Sequence, residues 1–182
     1  MRGRSVEREA AAAFAEALAQ FAAGKLSLAD KALRRLLGIA PRHAEGLNLQ
    51  GVVRLRLGRP GEAVESFAAA AAAAPETAQY HSNLGAALHR ARRPAEAEAA
   101  FARAIALAPG LPELPFNRAA ALKELGQLEE AAACYERALA LRPDYPEASH
   151  NLATTLEALG RPEAAEAACR QALARRPDWA EA

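Results

Sequence analysis

Three asparagines, Asn83, Asn117 and Asn151, follow one another at an interval of 34 residues. A side-chain amide carries both a donor and an acceptor. It can pair with the backbone of an extended polypeptide whatever that polypeptide's sequence. It can equally pair with a neighbouring element of its own chain and position it, and at this level both readings stay open. Packed helices lie about 8–10 Å apart and an extended chain rises about 3.3 Å per residue, so one asparagine per stacked helix pair would grip such a chain roughly every third residue.

Other residue types with chemical capacity are scattered. His81 and His89 are eight apart and His150 lies far along the chain, whereas metal ligation needs a tighter cluster. The expectation is no metal and no cofactor. Cys134 and Cys169 make no disulfide framework and read as small helix residues in a reducing compartment. No Ser-His-Asp arrangement, phosphate-cradling glycine loop or paired-carboxylate pocket is present, so no catalytic function is expected within the sequence. Arg54, Arg56, Arg59, the run "RARR" at 90–93 and Arg161 read as solvated turn residues. The 23 basic and 22 acidic residues nearly cancel, which gives no electrostatic footprint for nucleic acid. The N-terminus starts with basic residues, but Glu7, Arg8, Glu9 and Glu16 interrupt what would have to be a signal peptide's apolar region. No apolar run approaches the ~18 residues of a membrane span. The expected setting is cytoplasmic, without membrane contact.

The elements that must position these groups are set by a period. Pro41, Pro75, Pro109, Pro143 and Pro177 are each 34 residues apart, as are Ala29, Ala63, Ala97, Ala131 and Ala165. Gly24, Gly58, Gly126 and Gly160 keep the same step, with Arg92 in the one missing place. Leu33, Phe67, Phe101, Tyr135 and Cys169 form a fourth column. With the unit numbered 1 to 34 and the proline at 32, an apolar-periodic helix A is followed by a turn, often with glycine at 15 where the backbone wants positive φ. Helix B begins near 17, where Pro60, Pro94 and Pro162 suit a first turn, and stops before the proline at 32. No alternating strand pattern is present. Alanines at 20 and 27 of helix B face Gly51, Gly85, Ala119 or Ala153 at position 8 of helix A, so the pair can approach closely. The run "FAAAAAAAPE" (67–76) ends the second helix B. Ala71 and Ala73 stand where later repeats carry larger residues, and either a closer approach of neighbouring helices or a soft joint is expected between repeats 2 and 3.

The Leu84-Gly85 pair, Gly at 15, Ala at 20, Phe or Tyr at 24, Ala at 27 and Pro at 32 resemble the tetratricopeptide repeat (TPR) pattern. The expected organisation is an N-terminal extension (1–9), a divergent repeat 1 (10–43), repeats 2 (44–77), 3 (78–111), 4 (112–145) and 5 (146–179), and the start of a further helix (180–182). In repeat 1, Phe14, Leu18 and Phe21 look displaced, which predicts a rotated first helix or a shortened turn. In repeat 4, Arg118 holds the usual leucine position and Pro115 that of a bulky residue. Its helix A is expected to start late, with Phe116 taking over the packing. The resemblance implies an all-α, right-handed solenoid with helix A of each repeat along the concave face.

The resemblance also implies a peptide-binding groove built from helix A: Asn83, Asn117 and Asn151 at position 6, Asn48, Ser82 and His150 at 5, Gln79 at 2, and His89 and Lys123 nearby. Relatives that hold acidic chaperone C-termini use basic groove residues. Here Glu45, Glu113 and Glu147 at position 2 predict no such binding. The asparagine ladder is similar to the repeat region of O-linked N-acetylglucosamine transferases, and the repeat style to bacterial multi-repeat proteins. The expected function is a non-catalytic scaffold holding an extended peptide or partner segment. The alternatives are the recruiting arm of a larger glycosyl-, methyl- or sulfotransferase whose catalytic domain lies outside this sequence, and an array that self-associates through an open edge at Trp179.

Overall fold

The computed structural model describes residues 2–175, with side chains described over residues 5–170. Ten helices run in chain order, and no strand occurs among the described residues: α1 (Arg2–Ala22), α2 (Leu26–Ile39), α3 (Ala44–Arg56), α4 (Pro60–Ala73), α5 (Ala78–Arg90), α6 (Pro94–Leu107), α7 (Glu113–Glu124), α8 (Leu128–Leu141), α9 (Pro146–Ala158) and α10 (Pro162–Arg175). The expected all-α helix-turn-helix fold is the fold found. Helices α2, α4, α6 and α8 each end two residues before their proline, and α4, α6 and α10 begin on Pro60, Pro94 and Pro162. There a missing N–H costs no hydrogen bond.

The turns obey a single backbone demand. Gly24, Gly58, Gly126 and Gly160 adopt φ between 70° and 75°, and Arg92 adopts φ 61°. The left-handed geometry is thus kept even where glycine is not.

The chain forms two compact units, Met1–Arg93 and Pro94–Ala182. In the first, α1 packs on α2, α2 on α3, α3 on α4 and α4 on α5, with α5 also beside α3. The alanine run therefore lies inside a unit, with α4 packed on α5, and the chain divides further on, at Arg93/Pro94. Helix α3 approaches α4 closely. A Cβ on Gly51 would fall 2.6 Å from the ring of Phe67, which is itself 1% exposed. In the second unit α6 packs on α7, α7 on α8, α8 on α9 and α9 on α10. Tyr135 lies at its centre among Ala119, Leu122, Ala138, Leu152 and Leu156. Burial pushes the Tyr135 hydroxyl up to about 12, with Cys134 adding to the effect.

Residues 2–9, read as an N-terminal extension, are helical and run on into repeat 1 as part of α1. One sequence expectation is corrected. Repeat 1 has neither a rotated first helix nor a shortened turn. Ala13 and Ala17, at positions 4 and 8, are buried like Leu47 and Gly51 one repeat later, and three turn residues separate α1 from α2 as they separate α3 from α4. Phe14, Leu18 and Phe21 occupy positions 5, 9 and 12, on a different side of α1 from Ala13 and Ala17. Phe14 stacks on His43 at 4.9 Å and Phe21 carries the Arg56 guanidinium at 4.5 Å. In repeat 4, α7 does start one residue later than its counterparts. Pro115 sits buried in its first turn, where no intrahelical N–H bond is lost.

Polar residues replace leucine at defined places. At position 7, Glu16 pairs with Arg35 (2.6 Å), Gln50 accepts from the Ser66 hydroxyl (3.4 Å), and Arg118 donates to Glu98 (2.8 Å). At position 11, Arg54 stands where Leu88, Leu122 and Leu156 stand later. It donates to Ser66 at 2.8 Å and lies 3.7 Å from the buried carboxylate of Asp30 and 3.6 Å from Glu62. Helices α2, α3 and α4 are thus joined by a buried polar seam.

Candidate functional site

Helix A of each repeat carries the expected site residues, and the two units use them differently. In the first unit α3 and α5 lie side by side, which brings position 5 of repeat 2 against position 6 of repeat 3. The Gln79 amide donates to Asn83 Oδ1 (2.9 Å), and Asn83 Nδ2 donates to Asn48 Oδ1 (2.7 Å). This relay ties α5 to α3, so Asn83 and Asn48 act here as positioning residues. Each amide offers two donor hydrogens and two acceptor lone pairs, and each keeps further capacity after the relay is formed. Ser82 is half-buried nearby. His89 is half-buried near the C-terminus of α5 and is engaged in a further interaction.

In the second unit Asn117 on α7 and Asn151 on α9 are half-buried. The bonds at Asn151 reach its backbone carbonyl, which accepts from the hydroxyls of Thr154 (3.1 Å) and Thr155 (2.6 Å). Lys123 donates to Thr154 at 3.4 Å, linking α7 to α9. Between these helices lies a cleft of about 490 Å³, lined by Phe116, Pro146, Glu147, His150 and Asn151. Its aromatic wall is rigid, because Phe116 packs edge-on against Tyr135 (5.7 Å) and tilted against Tyr145 (4.9 Å).

Beside the cleft, Arg142 lies over the Tyr145 ring at 4.8 Å and pairs with Glu113. The Glu113 carboxyl is held below its ordinary value by hydrogen bonding to its own backbone N–H and then by Arg142. Burial raises the Tyr145 hydroxyl above its ordinary value, although Arg142 opposes the shift. This corner thus holds a guanidinium between a ring face and a carboxylate.

The remaining sequence candidates separate clearly. His81 is half-buried and makes a local bond, its Nε2 to the Pro75 carbonyl at 2.9 Å. Among the described residues no three His, Cys, Asp or Glu side chains stand together as a metal site. Cys134 is buried, and burial raises its thiol, whereas Cys169 is exposed. Trp179 lies outside the described residues. No helix among the described residues is long and apolar enough to cross a membrane. Sequence reasoning missed His43, whose Nδ1 accepts the Gly46 N–H at 3.0 Å and caps α3. Its signal was present: a polar residue immediately before the helix, followed by Glu45 in its first turn.

The sequence matches descriptions of the tetratricopeptide repeat over residues 14–70 and 48–112 and over 147–176, and of the TPR repeat over 119–160. None of the curated proteins matches it at a significant level. Among solved structures, a crystal structure of MamA superimposes with a TM-score of 0.91 at 20% identity, covering 96% of each chain. MamA 41-end from Desulfovibrio magneticus RS-1 gives 0.84 at 18% identity, covering 91% of this chain and 93% of its own. YrrB, described as a TPR protein with an unusual peptide-binding site, gives 0.83 at 22%, covering 97% of this chain and 92% of its own. Identities this low speak to the fold, and the repeat matches speak to the family. The chain belongs to the tetratricopeptide repeat family.

Proposed function

We propose that the protein is a non-catalytic interaction scaffold that holds an extended polypeptide segment along its A helices. The observation that carries this reading is the α7–α9 face, where Asn117 and Asn151 recur one repeat apart and Asn151 joins Phe116 and Pro146 in lining an open cleft. Amides supply backbone-directed hydrogen bonds and the cleft takes a side chain. Together these are the two components of extended-peptide recognition. YrrB, of the same fold, is described as having a peptide-binding site, which supports the reading. Acidic C-terminal tails are poor candidates, because position 2 presents Glu45, Glu113 and Glu147.

The test replaces Asn83, Asn117 and Asn151 together by alanine and compares proteins captured from a lysate by mass spectrometry. The proposal expects the capture pattern of the wild type to be lost while helicity is kept. An unchanged pattern would mean that the amides only position helices, and the groove assignment would fall.

A further inference from the structure

The charges around the α7–α9 cleft point to the class of side chain it takes. Glu124, Glu147 and Glu157 are exposed carboxylates on these two helices, while Glu113 is half-buried and paired with Arg142. Against them stand Lys123, tied to Thr154, and His150. Glu147 is exposed and lines the cleft together with Phe116, Pro146, His150 and Asn151. An apolar wall of Phe116 and Pro146 with a carboxylate in the same lining matches an alkyl stem bearing a terminal cation. The neighbouring corner holds a cation by the same means, with Arg142 over the Tyr145 ring and paired with Glu113.

The first unit offers a different surface at its equivalent positions. Phe14, Leu18, Phe21, Leu49, Val52 and Leu55 are apolar, Arg56 and Arg90 bring positive charge, and Glu45 stands at position 2. The carboxylate at position 2 recurs as Glu45, and in the second unit Glu147 stands with Phe116 and Pro146 in the lining of one cleft.

We infer that the α7–α9 cleft is a subsite for an arginine or lysine side chain of the bound segment, so that the scaffold selects cationic over neutral or acidic peptides at that point. The inference rests on the peptide-groove reading above and names its partner class. Phe116 and Pro146 hold the stem, Glu147 faces the charge, and the Asn117 and Asn151 amides take the flanking backbone.

The test is selection from a random decapeptide library displayed on phage, against the full chain and against the Glu147→Gln and Glu136→Gln variants. Glu136 is exposed on α8, outside this cleft, and serves as the control. Peptides retained by the wild type should be enriched in arginine or lysine at one position. A synthetic binder should lose about tenfold in affinity when that residue becomes norleucine, with the advantage shrinking in salt. Glu147→Gln should erase most of the enrichment, and Glu136→Gln should leave it intact. Binders without cationic enrichment, or enrichment that survives Glu147→Gln, would overturn the subsite while leaving the groove reading standing. A selection that yields no binders would overturn both.

Discussion

Two side chains set limits that single substitutions expose. Gly51 has no room for a methyl group, because its Cβ would lie 2.6 Å from the Phe67 ring. Alanine is the better helix former by about 1 kcal/mol, whereas overpacking costs about 1–3 kcal/mol. Gly51→Ala is therefore expected to destabilise by about 1 kcal/mol in urea denaturation, against its propensity. Phe67→Leu in the same chain should recover part of that loss, and a stabilised Gly51→Ala would show that α3 and α4 separate freely. Tyr135 sets a limit in pH. Its hydroxyl is pushed up to about 12 in the folded protein, from an ordinary value of 10.0, because burial disfavours the phenolate. Above pH 10 the unfolded chain loses this proton while the folded chain keeps it, so stability falls as pH rises through that window. Tyr80 and Tyr145 shift in the same direction, also through burial. Absorbance at 295 nm in the native protein should show all three tyrosines titrating above pH 10, one of them last near 12. A single ordinary transition at 10 would contradict the packing around Tyr135.

At the scale of elements, the A–B turn and the seam between repeats 1 and 2 make separate demands. Four of the five turns place glycine at positive φ, and the fifth holds Arg92 at φ 61°. A residue with a Cβ costs about 1–2 kcal/mol in this region. Arg92→Gly should stabilise the protein by about 1 kcal/mol, less whatever the Arg92 side-chain interaction contributes. A fall in the denaturation midpoint would mean that this interaction outweighs the backbone. The seam makes a sharper prediction. Asp30 is 4% exposed, and Asp30 Oδ1 and Arg54 Nε, both buried, face each other at 3.7 Å without a hydrogen bond. Arg54→Leu installs the residue found at this position in the next three repeats, yet it leaves a buried carboxylate with Arg34 alone at 3.3 Å. We expect a loss of about 3 kcal/mol for Arg54→Leu and a loss under about 1 kcal/mol for Arg54→Leu with Asp30→Ala, because removing both partners leaves no stranded charge. Additive losses in the double-mutant cycle would show that the pair is not coupled.

For the whole molecule, the features legible in the sequence were those fixed by local backbone chemistry. Proline at 32, glycine at 15 and alanine at 20 answer demands that recur in every repeat, and their columns mark where helices turn and stop, although not the start of α1 at Arg2. What stayed hidden depends on which repeat neighbours which. The Gln79–Asn83–Asn48 relay joins position 5 of one repeat to position 6 of the next, so no single column displays it. The Asp30–Arg54–Ser66 seam uses positions 21, 11 and 23, each filled differently elsewhere. The alanine run in α4 packs on α5 within one unit, and the division of the chain falls further on, at Arg93/Pro94. A chain built of neighbour-to-neighbour contacts stabilises each region mainly through its adjacent repeats. Phe67→Ala removes the buried ring between α3 and α4 and should cost about 3–5 kcal/mol locally. In native-state hydrogen exchange, amides of α3, α4 and α5 should lose protection by orders of magnitude. Amides of α7, α8 and α9, anchored on Tyr135, should keep most of theirs. Equal losses in both units would show instead that the array opens as one cooperative whole, and the division at Arg93 would carry no energetic meaning.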